Sequence, residues 1–200
     1  MHNNQRSRSI QYIAKVGVLS AMAAALMWLE FPLAFIAPPF YKLDLSEVPI
    51  LIGSFAMGPL AGILMEFLKN LLHLVLQGTT TNFVGELANF ITGCAFVLPA
   101  SILYRWKRDR KRALFGMLTG TLSLGVIGGF LNYFFLIPTY SALFDLPLDV
   151  IIGMGTAIHP AITDLSMLVV LAVLPFNLIK GVICSLLTYL LYKHVSRFLR

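Results

Sequence analysis

Residues 48–77 read "VPILIGSFAMGPLAGILMEFLKNLLHLVLQ", apolar almost throughout and interrupted at Gly58-Pro59. Whether this run forms one long helix or two decides the topology of the whole chain. The residue before a proline is pushed out of the helical region. A proline also suits the first turn of a new helix, where its missing N–H is no loss. The expectation is therefore two short helices, about 48–58 and 60–76, joined by a tight turn at "MGPLAG".

Working outward, apolar segments fall at about 12–36, 83–104, 113–137 and 165–192. Loops on the cytoplasmic side of a membrane collect Lys and Arg. The densest basic run is "RWKRDRKR", Arg105 to Arg112, and both ends of the chain are basic. If 48–77 crosses twice, both ends and the 105–112 loop share one side. Of the fifteen Lys and Arg residues, only Lys42, Lys69 and Lys180 then lie elsewhere. The fold class expected is an all-α integral membrane protein of six transmembrane helices with both termini cytoplasmic. It forms a single transmembrane domain over 1–200, with a basic N-terminal segment at about 1–11. The outer connections are expected at about 32–47, 77–82 and 138–164.

Composition supports the class. The chain is 58% hydrophobic and 12% charged, against about 45–50% and about 25% in soluble domains. The apolar part of the N-terminal segment, residues 16–38, exceeds the roughly 7–15 residues of a signal-peptide core, so it reads as a retained first helix. The two cysteines, Cys94 and Cys184, have neither disulfide nor metal spacing. The net charge of +6 is spread over three cytoplasmic positions without an aromatic platform, which argues against nucleic acid.

"LPFNLIKGVI", residues 174–183, buries an amide and an ammonium in an apolar run, which is costly unless both find partners. With a last helix starting at Pro175 and running inward, Asn177 and Lys180 share a face one to two turns below the outer surface. Asn132 in "GGFLNYFFLIP" precedes Pro138, and Glu86 and Asn89 begin the helix in "TNFVGELANFITG". Gly85 admits close approach to the backbone there. "FYKLDLSEVP" adds Lys42, Asp44 and Glu47. These groups converge on the outer third of the bilayer, and ionisable groups at membrane depth are functional candidates. Amides grip ring edges, aromatic faces stack and apolar walls exclude water, so a flat polar heterocycle suits such a cavity. Phe83, Phe90, Tyr133, Tyr140 and Phe176 are near enough in sequence to supply rings.

Elsewhere, Glu66 and Lys69 stand three apart in "MEFLKNLLH", where an ion pair is the simpler reading than a proton relay. His159 and Asp164 read as solvated. In the first span, Ala21 and Ala25 form a small-xxx-small pair with Gly17 before them, a face that lets another helix approach closely. It serves either this chain's own packing or a partner protein.

"KLDLSEVP", "GPLAGILMEFLKN", "VGELANFITG", "LNYFFLIPTY" and above all "LPFNLIKG" resemble the riboflavin-specific S-components of energy-coupling-factor (ECF) vitamin transporters, over about residues 14–192. The resemblance implies six helices, riboflavin as a transported ligand bound from outside, and no enzyme activity or resident cofactor. It implies three partner subunits, a transmembrane scaffold and two ATPases. Carried onto this chain, Lys42, Leu43 and Asp44 belong to a loop over the ligand, and Gly85 and Asn89 line the fourth helix. Asn132, Asn177 and Lys180 hydrogen-bond the ring edge, while Ala21 and Ala25 face the scaffold. The connection from Tyr140 to Pro175 is longer than this resemblance leads one to expect.

The chain carries no G-x-x-x-x-G-K-[ST] phosphate loop, in keeping with energy supplied by partners. It also lacks H-E-x-x-H and any nucleophile-base motif. The alternative function is a stand-alone secondary transporter or channel for a small polar heterocycle, using Glu66, Lys69 or Asp164 as a proton site.

Overall fold

The computed structural model describes the backbone of residues 2–199 and the side chains of residues 9–192. α1 (His2–Trp28) leads into a loop pinned by a two-residue antiparallel ribbon, β1 (Phe31–Pro32) with β2 (Lys42–Leu43). α2 (Glu47–Met57) and α3 (Pro59–Gln77) follow, then α4 (Val84–Trp106). α5 spans Arg110–Leu143, interrupted by a π-helical turn at Asn132–Leu136. A short α6 (Leu148–Thr156) precedes α7, which covers 165–199 with a second π-helical turn at Val169–Val173.

The two-helix reading of 48–77 holds. Gly58 takes φ of 105°, and Pro59 opens α3. Among the described residues, five helical stretches are long and apolar enough to cross a membrane: Ser9–Trp28, Pro59–Gln77, Val84–Trp106, Arg110–Leu143 and Leu165–Tyr192. The nineteen residues of α3 reach about 28 Å, so only the eleven-residue α2, about 16 Å, is short.

Three expected boundaries need correction. The first helix ends at Trp28 rather than about 36, where the β-ribbon loop has already begun. The fifth helix runs on through Pro138 to Leu143, so 138–164 is not one connection. The last helix starts at Leu165, with the Asp164 carboxylate capping it by accepting from Met167 N at 2.9 Å. Pro138 and Pro175 are therefore interior. Each lies two residues past the end of a π-turn, where Ile137 N–H reaches Asn132 O and Leu174 N–H reaches Val169 O, five residues back. The widened turn relieves the clash and lost bond that an interior proline brings.

Packing follows small residues. An added Cβ at Gly116 would lie 2.6 Å from Ala100 O, so α5 meets α4 nearly backbone to backbone, as small faces allow in lipid. One core gathers Leu19, Ile50, Leu51, Met65, Phe96 and Cys184 among α1–α5 and α7. A second gathers Ala37, Leu43, Ile137, Ile162 and Phe176 beneath the loop that follows α1. Leu114, Phe115, Leu118, Leu122 and Val126 of α5 are exposed, as lipid-facing residues would be.

Candidate ligand-binding cavity

The helices and the loop after α1 enclose a cavity of about 430 Å³, within the range of small-molecule sites. Its walls come from the loop after α1, from α2–α5 and from α7. Lys42, Asp44, Gly85, Asn89, Asn132, Tyr140, Asn177 and Lys180 all line it, so residues separated by up to 138 positions meet in one space.

The partners of the buried polar groups are explicit. Lys180 Nζ donates to Asp44 Oδ2 at 2.7 Å, and both residues are buried. Asp44 Oδ1 also accepts from Ser46 N. Burial alone would push the Asp44 carboxyl up, but the Lys180 and Lys69 ammoniums outweigh it and hold the pKa at about 2. Asn132 Nδ2 donates to Gly128 O at 2.8 Å, and Asn177 Nδ2 donates to Val173 O at 3.0 Å. Each amide is thus clamped by the carbonyl one turn earlier on its own helix. Asn132 Oδ1 receives the Tyr41 hydroxyl, whose own pKa burial raises, so it stays a neutral donor. Asn177 keeps Oδ1 for other use.

Behind the lining sits Lys69, fully buried, 2.9 Å from Glu47 Oε1 and 2.7 Å from Glu66 Oε2. The expected Glu66–Lys69 pair is present, and Glu47 makes it a triad. Glu66 rests on Gly93 of α4, where an added Cβ would lie 2.5 Å from Glu66 Oε2. Groups of this kind need such pairing, since an unpaired buried charge is far costlier than the pair. The described residues contain no His/Cys/Asp/Glu group suited to a metal, and both cysteines are free.

Some expected residues lie outside the cavity. Leu43 follows Lys42 in a strand, so its side chain takes the opposite face and is buried in the second core. Phe83 adopts a left-handed backbone with φ of 67° at the start of α4, and its ring is exposed. Tyr133, one residue past Asn132, is turned about 100° around the helix and packs on Phe134 at a 4.8 Å centroid distance. The rings that do line the cavity are Phe40, Tyr41, Tyr140 and Phe176. Tyr41 was missed although it lies inside "FYKLDLSEVP"; a loop tyrosine gives no periodic signal of burial. Glu47 and His73 also line the cavity. On α1, Ala21 and Ala25 are exposed while Ala23 and Ala24 are buried. A Cβ at Gly17 would meet nothing within 4 Å. The small-residue face therefore does not pack against this chain's own helices.

The sequence pattern of one family, described as "ECF transporter, substrate-specific component", matches residues 11–192. The chain is 34% identical over 201 residues to the riboflavin transporter RibU of Staphylococcus aureus (strain TCH60), covering 99% of this chain and 98% of that one. It is 33% identical over 186 residues to the riboflavin transporter FmnP of Bacillus subtilis (strain 168), covering 92% and 90%. A solved structure described as the S component of a bacterial ECF transporter superposes with a TM-score of 0.74 at 33% identity, over 96% of this chain and 99% of that one.

Proposed function

Since this chain belongs to the family of ECF transporter substrate-specific components, we propose that it captures riboflavin for an ATP-driven importer, holding the vitamin in the cavity described above. The observation that carries the reading is the meeting of Asn132, Asn177, Lys180 and Asp44 with four aromatic rings in one cavity of suitable volume. A pyrimidinedione edge presents two carbonyl acceptors flanking an N–H donor. The Asn177 amide oxygen and the Lys180 ammonium offer the complementary acceptor and donor. Phe40, Tyr41, Tyr140 and Phe176 supply the faces against which an isoalloxazine stacks. Gly85 and Asn89 line the α4 side, and Lys42 and Asp44 close the loop over the guest.

In the same reading the chain crosses the membrane six times, α2 and α3 each counting once, with both termini cytoplasmic and the cavity toward the outer face. α2 is tolerated despite its length because it is buried against other helices. The exposed Ala21–Ala25 face of α1 docks a transmembrane scaffold subunit, and two ATPase subunits bound to that scaffold supply the energy.

The test is binding by the full chain purified in detergent. A yellow preparation, or riboflavin bound with sub-micromolar affinity in the absence of nucleotide, is the expected result. Colourless protein that fails to bind added riboflavin would overturn the reading. Riboflavin uptake by the chain reconstituted alone, abolished by an uncoupler, would favour a stand-alone transporter instead.

A further inference from the structure

The polar cluster at the floor of the cavity is one charge out of balance. Asp44, Glu47 and Glu66 bring three carboxyls against the ammoniums of Lys69 and Lys180, and all five residues are buried. Lys180 is committed to Asp44 at 2.7 Å. Lys69 is left to serve two carboxyls at once, Glu47 at 2.9 Å and Glu66 at 2.7 Å. One ammonium neutralises one carboxylate, and a second, bare charge in so enclosed a place is very costly.

No described neighbour supplies the missing positive charge. Besides Asp44 and Lys180, the titratable groups around the triad are Cys94 on α4, Cys184 on α7 and His73, one turn along α3 from Lys69. Neither ring nitrogen of His73 has a hydrogen-bond partner, so an imidazolium there would be stranded in its turn. A thiol adds no positive charge.

The carboxyls themselves show how balance is restored. Glu47 of α2 and Glu66 of α3 approach each other at hydrogen-bonding range. Glu47 Oε2 and Glu66 Oε1 are buried and accept from no donor. Two ionised carboxylates so placed repel, whereas one proton between them makes the contact a hydrogen bond and removes the excess charge. The pair also borders the ligand space. Glu47 and Gly93 line the cavity, and a Cβ added at Gly93 would lie 2.8 Å from Glu66 Oε1.

We propose that Glu47 and Glu66 bind one proton between them at neutral pH, and that losing it weakens ligand capture. A guest on this floor displaces water that would otherwise solvate an excess charge, so capture and the proton support each other. The first half stands on the triad alone; the second rests on the flavin reading above.

Infrared spectra of the full chain in detergent read the proton directly, because the C=O stretch of a protonated carboxyl stands apart from the bands of a carboxylate. At pH 7 the wild-type chain should show that stretch. Glu47→Gln and Glu66→Gln should each lose it, since Lys69 then faces a single carboxylate and no proton is needed. Each single variant should keep a thermal midpoint near that of the wild type. The double variant strands Lys69 and should lose more than the two singles together. Absence of the band from the wild type overturns the proposal, as does its survival in either variant. A single variant too unstable to purify, or a double variant that shows only the sum of the singles, contradicts the charge balance and counts against it equally.

The link to capture is read from riboflavin affinity between pH 7 and about 9. The wild-type chain should weaken at least about fivefold more than Glu66→Gln over that span, and the flavin's own titration cancels in the comparison. Parallel pH profiles would refute the link. A wild-type chain that binds no riboflavin at either pH brings down the flavin reading and the link with it, while the infrared band still decides whether the proton is there.

Discussion

Lys180 Nζ lies 2.7 Å from Asp44 Oδ2, joining the loop after α1 to the last helix across 136 residues of sequence. The bond fastens the cavity's cover to its wall with two groups that are each unaffordable alone. Removing one partner of a buried pair costs about 3–5 kcal/mol, chiefly for the charge left behind. Lys180→Met should therefore lower the thermal midpoint in detergent and abolish flavin binding. Asp44→Asn combined with Lys180→Met should recover most of the midpoint but not the binding. Recovered binding in the double variant would show that Lys180 touches no ligand.

The same pair sets a response to acid. The folded Asp44 carboxyl titrates at about 2, below its ordinary value of 3.8. A depressed carboxylate contributes stability that is complete above the unfolded pKa and fades as pH falls toward the folded one. Thermal midpoints should hold steady from pH 7 to 5 and drop between about pH 4 and 2, and Asp44→Asn should flatten that drop. An equally steep drop in the variant would assign it to other carboxylates.

Asn177→Ala should weaken riboflavin binding more than tenfold, since an unpaired ring-edge group costs about 1–3 kcal/mol, and Asn132→Ala should do the same by leaving the buried Tyr41 hydroxyl without its acceptor. Gly128→Ala probes the same amide without deleting it, because the added Cβ would stand 2.7 Å from Asn177 Nδ2. It should weaken binding in the same direction while the thermal midpoint changes little. Wild-type affinity in all three variants would move the ligand elsewhere.

Ala21→Trp places a large ring on an exposed small-residue face of α1. Riboflavin binding by the isolated chain should be unchanged, whereas uptake in cells with the full importer should fail, because close helix approach is blocked. Normal uptake would free that face from any docking role.

The break between α2 and α3 was legible because Gly58-Pro59 is a local signal, although only α2 proved short, and most of the cavity residues were legible because polar groups in apolar runs are conspicuous. What was hidden depended on backbone geometry that no residue type announces. Pro175 carries the ordinary mark of a helix start, yet the π-turn at Val169–Val173 lets α7 begin ten residues earlier, at Leu165. Asp164 was the available clue, since an Asp ahead of an apolar run is a favoured cap; it reads equally well as a solvated loop residue. Phe83 and Tyr133 were misplaced for a related reason. Nearness in sequence to the right asparagine says nothing about which side of the helix a ring occupies, and the left-handed backbone that Asn82 readily adopts continues into Phe83, where an aromatic residue rarely takes it.

Each of those π-turns holds one residue more than a regular helix would need. Deleting a single residue from 133–136 should restore ordinary winding and swing Pro138 through Leu143 by about 100° relative to the rest of α5. Tyr140 would leave its place beside Gly85, and a deletion within 170–173 would likewise rotate one half of α7 against the other. Relatives should tolerate length changes in the segment between these helices far more readily than at either turn.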